Sequence, residues 1–594
     1  MKPGLFALAA LLCASPAWGQ DPLAPVPETP PPSAPAPAPT VSPPPQAVAP
    51  PAIVAPALPP IQVPLDWRGV FAAIRGGNWR AAEAGIALLP SHVLSPVARA
   101  QLYTAKGSPT VDLGRLQALL AEAPDLPQAE QLARMALSRG ATNSPMVIPK
   151  RPLAWLGSAP RRSRARPVQG EPAADQLRTA LEPLLKVNSA PEAEALLLQT
   201  APLLSVQARA EAGQRIAWAY YQLGRDVDAR RVADSWRHGA SGDWAAHSAW
   251  VSGLASWRLN DCEAASRAFR EVAGTSRERE LGAGGYYWAA RSEQACRRPP
   301  SVAPLLKAAA RSTESFYGLI AREALGLDTR LPPNPRSHSA VVETLPNVRR
   351  ALELVAIGER WLAEDLLRHQ ARIGRPAEHH GLIEFAKRLD LAGAQFWLAH
   401  NGQPGAVSDP RDRYPVPRWA PITGWRVDPA LAFAHVIQES TFRADAVSPA
   451  DAVGLMQVRP GTAQDMARAR NLPYSRASLT DPGFNLEFGQ SFIEQMRRSS
   501  ATGGQLPRIM AAYNAGPTPV ARWAWIPDRG DPLLWIESIP YWETRFYVPA
   551  VFRNMWVYQG IAGADAPTLK SMVEHSWPAF PTGRTDFTQS VGGN

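Results

Sequence analysis

The chain has 594 residues, 45% of them hydrophobic, so it can bury more than one core without depending on disulfides. Its formal net charge of +10 favours polyanionic partners such as nucleic acid, anionic lipid or cell-wall polymer. No dense Lys/Arg run with interleaved aromatic residues is present, which argues against nucleic acid. No stretch after the N-terminus has the length and apolarity of a transmembrane helix.

Residues 1–19 have the form of a secretory signal peptide. Lys2 supplies the positive start, an apolar run follows, and Ala17 and Gly19 place small residues at the cleavage positions. The apolar run is too short to span a bilayer. The segment therefore predicts export to a soluble compartment.

Residues 20–64 form a proline-rich stretch, with 18 prolines in the 44 positions from 21 to 64. Such a composition cannot build a packed core and favours an extended or disordered chain. We expect a spacer here that carries no catalytic groups.

Residues 65–340 show helical periodicity, with Ala and Leu abundant and β-branched runs scarce. Turns recur every 34 to 36 residues, which is the period of stacked helix pairs, and this predicts an α-superhelix. Cys262 and Cys296 lie at equivalent turns of neighbouring repeats. After export they could form a disulfide, or they could be two small hydrophobic residues at helix ends.

The rest of the chain predicts further helical units, which makes the whole protein all-α. Residues 341–405 read as a helical linker domain, and several prolines between 403 and 425 mark the connection to the next unit. Residues 406–562 read as a compact helical domain. The tail at 563–594 is polar and contains glycine, so we expect it to fray.

One helix of this last domain carries a candidate acid. Asp428 at the cap and Pro429 at the first helical position form a helix start signal. The helix is nearly all apolar up to Glu439 in its last turn, where burial and the negative end of the helix dipole both raise a carboxyl pKa. A carboxyl that stays protonated at neutral pH can act as a general acid. From this residue alone, a Glu that simply points to solvent is the simpler alternative.

Six short motifs in this region favour the general acid over a Glu that points to solvent, because they occur in a fixed order over about 130 residues. Together they resemble the catalytic domain of the soluble lytic murein transglycosylases, which has a goose-type lysozyme fold. The motifs are Glu439-Ser440, Ser448-Pro449, Gly454-Leu455-Met456-Gln457, Pro460-Gly461-Thr462-Ala463, Ala511-Ala512-Tyr513-Asn514-Ala515-Gly516 and Glu543-Thr544-Arg545-Phe546-Tyr547-Val548.

The resemblance extends upstream through Ser315-Phe316-Tyr317-Gly318-Leu319 and Arg350-Ala351. It implies a ring-like superhelix on which a lysozyme-like domain sits, and it implies a periplasmic protein. The partners it implies are peptidoglycan glycan strands, and other cell-wall enzymes stay open as partners.

The resemblance also assigns roles to individual residues. Glu439 is expected to be the catalytic acid and then the base, and Ser448 is expected near the N-acetyl group of the substrate. Met456 and Gln457 are expected to line sugar subsites, through apolar contact and hydrogen bonding respectively. Met456 is equally well explained as a core residue.

Three further positions of the cleft follow from the same resemblance. Tyr513 matches a tyrosine whose hydroxyl approaches the catalytic Glu, and Asn514 is expected to shape the cleft. Asn514 could instead be a structural hydrogen-bonding residue. Glu543 matches a second acid of the substrate groove, which contacts saccharide or stabilises the wall of the groove. Gly454 and Gly516 read as turns that require glycine.

Two residues depart from the family pattern. Asp451 stands where the family often has glycine, and Asp tolerates such turn geometry. His435 lies one turn before Glu439 on the same helix face, where the family more often has a small or apolar residue. A charged imidazole would stabilise the Glu439 anion and weaken the acid, so we expect His435 to be neutral or turned away.

The mechanism implied by the resemblance uses one carboxylate, whereas most glycosidases use two. Asp445 and Asp451 are available but match no catalytic position. The attacking group is then the C6 hydroxyl of N-acetylmuramic acid, so that cleavage of the β-1,4 bond to N-acetylglucosamine leaves a 1,6-anhydromuramoyl end. No metal or cofactor is expected. The alternatives are a lysozyme-type hydrolase on the same fold and a non-catalytic peptidoglycan-binding scaffold.

Overall fold

The computed structural model describes residues 62–143, 145–581 and 583–587. The signal peptide predicted at 1–19 lies outside these residues, as does all of the predicted spacer except residues 62–64. The described residues form 26 α-helices and a single two-stranded antiparallel sheet, β1 (Ala154–Trp155) with β2 (Asn401–Gly402). The predicted all-α class is confirmed.

The helices fall into four successive groups along the chain. The first group is α1 (Trp67–Arg75), α2 (Trp79–Leu88), α3 (Ser95–Thr104), α4 (Leu113–Glu122) and α5 (Ala129–Ser138). The second is α6 (Pro172–Lys186), α7 (Ala190–Thr200), α8 (Val206–Gln222), α9 (Asp226–Arg237), α10 (Gly242–Arg258), α11 (Cys262–Thr275), α12 (Arg279–Ala295), α13 (Pro299–Ala310) and α14 (Phe316–Ala324).

The third and fourth groups complete the described chain. The third is α15 (Pro346–Ala356), α16 (Arg360–Ile373), α17 (His379–Arg388) and α18 (Ala392–His400). The fourth is α19 (Pro429–Glu439), α20 (Pro460–Arg470), α21 (Pro482–Arg498), α22 (Leu506–Ala515), α23 (Pro517–Arg522), α24 (Pro532–Glu537), α25 (Trp542–Ile561) and α26 (Pro567–Val573). Short 3₁₀ turns lie at Ala201–Leu203, Pro376–Glu378, Pro410–Arg413, Ala477–Thr480 and Trp523–Trp525.

The repeats predicted from the turn spacing are present as packed pairs α8–α9, α10–α11 and α12–α13. Two glycines let helices approach closely within this stack. A Cβ at Gly213 would lie 2.4 Å from the Cβ of Trp236, and one at Gly285 would lie 2.8 Å from the backbone of Ala273. No larger residue fits at either position without moving a neighbouring helix.

The buried side chains form two large clusters. One contains α1–α5 together with α15–α18, and the other contains α6–α14 together with α19–α26. Helices α15–α18, which follow the boundary predicted at residue 340, therefore pack against α1–α5, which precede it. The domain boundaries themselves remain a prediction.

The contact between the second helix group and the C-terminal helices includes buried polar groups. Arg162 donates two hydrogen bonds to Glu537, at 2.6 and 2.9 Å, and Tyr317 donates a third at 2.6 Å. The hydroxyls of Tyr221 and Ser538 lie 2.8 Å apart. These groups fix the lysozyme-like region against the superhelix, because a misaligned contact would leave buried charges without partners.

The expectation that the tail at 563–594 frays is wrong for its described part. Helix α26 packs against α14. Further on, the backbone N–H and the hydroxyl of Thr585 both donate to the side chain of Asp428, at 3.1 and 3.0 Å. The ring of Phe587 lies 6.1 Å from that of Phe433. The tail thus covers the start of α19, and apolar contacts compensate for its polar composition.

Cys262 and Cys296 form a disulfide that joins the start of α11 to the end of α12, with their Cα atoms 5.5 Å apart. Of the two alternatives left open by the sequence, the structure thus has the bonded one. A cross-link across 34 residues reduces the entropy of the unfolded chain.

Replacing both cysteines with Ser is expected to lower the free energy of unfolding by about 2–4 kcal/mol. Urea unfolding of the oxidised protein and of the Cys262→Ser/Cys296→Ser variant measures this. A thiol reductant should lower the stability of the first and leave the second unchanged. Equal stability of the two oxidised samples would contradict the prediction.

No helix among the described residues is both long enough and apolar enough to cross a membrane.

Candidate active site

The candidate acid Glu439 is the last residue of α19. The helix starts as predicted, with the side chain of Asp428 accepting a hydrogen bond of 3.0 Å from the Ala430 backbone and Pro429 at the first position. Every residue from Pro429 to Ile437 is buried. Such a helix is held on nearly all sides, so the carboxyl at its end has a fixed position although it is partly exposed.

The turn directly after Glu439 has an unusual backbone. Thr441 and Phe442 have φ values of 53° and 64°, in the left-handed region that non-glycine residues seldom adopt. Phe442 is 2% exposed and its ring lies 6.2 Å from those of Phe433 and Trp419. This packing holds the strained turn, and the turn carries the chain sharply away from Glu439.

The carboxyl of Glu439 is bonded to a tyrosine from α25. Tyr547 donates from its hydroxyl to Glu439 Oε1 at 2.6 Å. Burial raises the pKa of Glu439 to about 7, the Tyr547 hydrogen bond opposes this, and the charge of Glu543 adds to it. The carboxyl can therefore hold a proton near neutral pH, as the sequence predicted.

The sequence pointed to a different tyrosine for this contact. The hydroxyl of Tyr513 donates instead to the carbonyl of Met456, at 2.8 Å. Burial and the charge of Glu439 raise the pKa of Tyr513 well above its ordinary value, so its ring is still near the carboxyl. The resemblance does not single out Tyr547, although this residue lies one turn after Glu543 on the same face of α25 and within the last of the six motifs.

His435 is buried beside these groups. Burial lowers the pKa of His435 to about 3, so the imidazole is neutral as expected. It is not turned away, because its Nδ1 lies 2.6 Å from the Tyr547 hydroxyl and its ring centre lies 4.6 Å from that of Tyr513. No sequence pattern indicates this contact, because it depends on how α19 meets α25.

The loop between α19 and α20 carries Ser448, whose side chain accepts a hydrogen bond of 3.0 Å from the Ala452 backbone. Asp451 in the same loop has a φ of 63°, which confirms that it adopts the turn geometry expected of a glycine position. Its carboxylate pairs with Arg476 at 2.8 Å. At Gly454 a Cβ would lie 2.2 Å from the Leu479 carbonyl, so this turn does require glycine.

Gln457 and Met456 follow that turn and differ in their surroundings. The side-chain amide of Gln457 donates to the carbonyls of Ala446 and Gly454, at 3.1 and 2.9 Å, and the residue is partly exposed. Met456 is fully buried, with its sulfur against Gly489 of α21. This is the core environment considered as the alternative for Met456, because its side chain fills the space that Gly489 leaves. Its contact with a sugar remains a prediction.

Asn514 lies at the end of α22, and Glu543 lies at the start of α25. Asn514 accepts a hydrogen bond of 2.7 Å from the Thr544 hydroxyl, which ties the end of α22 to the start of α25. Glu543 is exposed in the first turn of α25. Gly516 after α22 has a φ of 85°, as a turn that needs glycine requires. Asn514 thus makes the structural hydrogen bond considered as its alternative.

These contacts bring Tyr513, Tyr547 and Glu543 to Glu439, and Met456 contributes its backbone rather than its side chain. The hydrogen bonds of Ser448 and Asn514 go to Ala452 and Thr544 and not to this group. Tyr547 and Glu543 reach the site from α25 and Tyr513 reaches it from α22, while the carbonyl of Met456 ties the 446–458 loop to Tyr513. The arrangement can deliver a proton from Glu439 to an oxygen of a bound ligand.

A group of potential cation ligands lies away from this site, where His380 and Glu384 of α17 approach Asp412 of the 3₁₀ turn Pro410–Arg413. No ligand spacing in the sequence indicates this group. The ammonium of Lys387 already contacts both carboxylates at 2.6 Å, which explains the cluster as an ion-pair network.

Comparisons with known proteins agree with this architecture. Residues 420–531 match the model of the transglycosylase SLT domain family. The soluble lytic murein transglycosylase of Escherichia coli K12 is 28% identical over 277 residues, which is 44% of this chain and 41% of that protein. A protein described as a soluble lytic murein transglycosylase of Haemophilus influenzae is 32% identical over 160 residues, 26% of each chain. These alignments span less than half the length of either relative.

The fold resembles the crystal structure of the 70 kDa soluble lytic transglycosylase from Escherichia coli, with a TM-score of 0.52 and 17% sequence identity. The superposition covers 86% of this chain and 99% of that one. The superhelix with a C-terminal lysozyme-like domain is thereby confirmed as the fold.

Proposed function

We propose that the protein is a peptidoglycan lytic transglycosylase, from the premise that residues 420–531 match the transglycosylase SLT domain family, as the resemblance to soluble lytic murein transglycosylases implied. The substrate is the glycan strand of peptidoglycan, and Glu439 is the only catalytic carboxyl. The observation that carries the proposal is the state of Glu439, a carboxyl with a pKa of about 7 that is fixed by Tyr547 and partly exposed.

In the first step Glu439 gives its proton to the glycosidic oxygen between N-acetylmuramic acid and N-acetylglucosamine. The C1–O bond breaks, and the acetamido oxygen of the muramic acid closes on C1. Glu439 is now a carboxylate, stabilised by the hydrogen bond from Tyr547.

In the second step Glu439 takes the proton of the C6 hydroxyl of the same sugar. The C6 oxygen bonds to C1 and displaces the acetamido oxygen, which closes the 1,6-anhydro ring. The carboxyl has recovered its proton, and no water has been consumed. One carboxyl suffices because the substrate supplies the nucleophile, in contrast to glycosidases with two carboxylates.

The other residues of the site hold the substrate in this proposal. Gln457 has its amide nitrogen engaged by two carbonyls, and its Oε1 is the atom to accept a sugar hydroxyl. Glu543 is exposed beside Glu439 and accepts from further hydroxyls. Ser448 lies in the loop that leads to Gln457 and contacts the N-acetyl group.

Export to the periplasm is part of the proposal, through the signal peptide predicted at 1–19. The disulfide between Cys262 and Cys296 supports an oxidising compartment. Sequencing the N-terminus of the protein recovered from periplasmic extracts tests this, with cleavage after Gly19 expected.

Mass spectrometry of the muropeptides released from purified sacculi tests the reaction. Products with 1,6-anhydromuramoyl ends are expected. Reducing muramic acid ends would identify a lysozyme-type hydrolase instead. Binding to sacculi without release of any muropeptide would identify a non-catalytic scaffold.

The rate is expected to fall on the alkaline side with a midpoint near pH 7, because Glu439 must be protonated and its pKa is about 7. The charge of Glu543 raises the pKa of Glu439, so Glu543→Gln should move this midpoint to lower pH. Rate–pH profiles of the two proteins on sacculi measure the shift. A midpoint that stays in place or moves upward would contradict it.

A further inference from the structure

Three side chains form a continuous hydrogen-bonded chain behind the reacting carboxyl. His435 Nδ1 lies 2.6 Å from the Tyr547 hydroxyl oxygen, and that hydroxyl lies 2.6 Å from Glu439 Oε1. His435 and Glu439 are one turn apart on α19, and the phenol of Tyr547 contacts both. The phenol is thus held from two sides by the helix that carries the acid.

The tautomer of His435 fixes the direction of this chain. Nε2 of His435 is buried and has no partner among the described residues, so a proton there would be a buried donor without an acceptor. The proton of the neutral imidazole is therefore on Nδ1, and in the contact with Tyr547 the imidazole is the donor. The single phenol proton is then left for Oε1 of Glu439, to which Tyr547 donates.

The imidazole stays neutral over the working pH range. Its surroundings are the phenols of Tyr513 and Tyr547, with the carboxyls of Glu439 and Glu543 beyond them. Burial lowers the pKa of His435 to about 3, which outweighs any attraction from these acids. His435 therefore acts through its hydrogen bond and does not titrate with the reaction.

We propose that His435 is a positioning residue, whose Nδ1–H occupies one lone pair of the Tyr547 oxygen and so directs the phenol proton to Oε1 of Glu439. Oε2 is then the oxygen that carries the proton in the first step and receives one in the second. This assignment deepens the proposed function and rests on it. The residue acts through Tyr547 and touches no reacting atom.

The physical reason is that a phenol O–H can rotate about its C–O bond. Without a donor from His435, its proton has no fixed direction, and Oε1 can itself take up the acidic proton. When the acidic proton of Glu439 is on Oε1, it points toward Tyr547 and cannot be delivered to the glycosidic oxygen. The donor from His435 also strengthens Tyr547 as a donor, which stabilises the Glu439 carboxylate.

Two substitutions at His435 separate the hydrogen bond from the volume of the ring. His435→Leu removes the donor, whereas His435→Asn places an amide N–H near the position of Nδ1 and cannot titrate. We expect the Leu variant to lose kcat by about 5- to 50-fold with KM nearly unchanged. The alkaline limb of its rate–pH profile should move to higher pH, since the carboxylate of Glu439 is less stabilised. The Asn variant should recover most of the wild-type kcat, and its alkaline limb should lie close to that of the wild type.

The Tyr547→Phe background shows whether His435 acts through Tyr547. There the Leu substitution should change neither kcat nor the alkaline limb further, because the phenol that it orients is absent. The proposal is overturned if His435→Leu matches the wild type in both quantities. It is also overturned if the Leu substitution costs the same factor in the Tyr547→Phe background, since the effect would then be structural.

A readout without turnover separates this proposal from the proposed function. Nitrogen-15 NMR of histidine-labelled protein, with His435→Asn identifying the signal, should show a neutral Nδ1–H tautomer from pH 5 to 9. An Nε2–H tautomer, or an imidazolium at pH 5, overturns the positioning role. If wild-type protein releases no anhydromuropeptides, the proposed function fails even where the NMR result is as expected.

Discussion

Replacing Glu439 with Gln is expected to lower turnover on purified sacculi by about 10³-fold or more while binding to sacculi persists. The amide has nearly the shape of the acid but cannot give up a proton in the first step or accept one in the second. A single group serves both steps, so its loss is not compensated by the neighbouring Glu543. Muropeptide release and sacculus pull-down measure the two quantities separately.

The fold should survive this change, and pH provides the check. The pKa of Glu439 is raised from 4.5 to about 7, so ionisation of the carboxyl destabilises the folded state as the pH rises through this range. An amide cannot ionise, so the variant should melt at the same temperature or higher above pH 7.

Glu182→Gln makes the same chemical change at an exposed carboxyl of α6 and should leave turnover and melting unchanged. Turnover of Glu439→Gln above a few per cent of wild type would exclude Glu439 as the acid.

Replacing Glu537 with Gln is expected to reduce the free energy of unfolding by about 3–5 kcal/mol. Glu537 and Arg162 are 1% and 8% exposed at the contact between superhelix and lysozyme-like domain. Burial disfavours the charge of Arg162, but Glu537, with smaller contributions from Tyr317 and Glu280, keeps the pKa of that guanidinium above its usual value. The amide leaves a buried cation without its counter-charge, and urea unfolding followed by tryptophan fluorescence reports the loss.

A double variant, Arg162→Met/Glu537→Leu, removes both charges and should be more stable than Glu537→Gln, because no buried charge is left without its partner. The matched control is the pair of Lys186 and Glu182, which are 71% and 64% exposed on α6. Removing that pair should cost less than about 1 kcal/mol. If Glu537→Gln costs no more than this control, the buried pair does not hold the two parts together.

Local signals in the sequence sufficed for several features of this protein. The periodicity of apolar residues predicted the stacked helix pairs, since the faces of neighbouring repeats must be buried whatever the remaining fold. Asp428 and Pro429 marked the start of α19, because capping depends only on residues adjacent in the chain. The apolar character of that helix, together with the six ordered motifs, also predicted a protonated carboxyl at Glu439.

Other features depended on which helix faces meet. The sequence could not show that Tyr547 contacts Glu439 in place of Tyr513, because the partners lie 108 residues apart and the docking of α22 and α25 against α19 decides which hydroxyl reaches the carboxyl. The same docking brings His435 to Tyr547, and the position of Gly489 decides that Met456 is core. The sequence by itself thus determined the helices, their repeat and the position of the candidate acid. Only the tertiary structure decided the hydrogen bonds around that acid, because they join atoms that chain connectivity does not hold together.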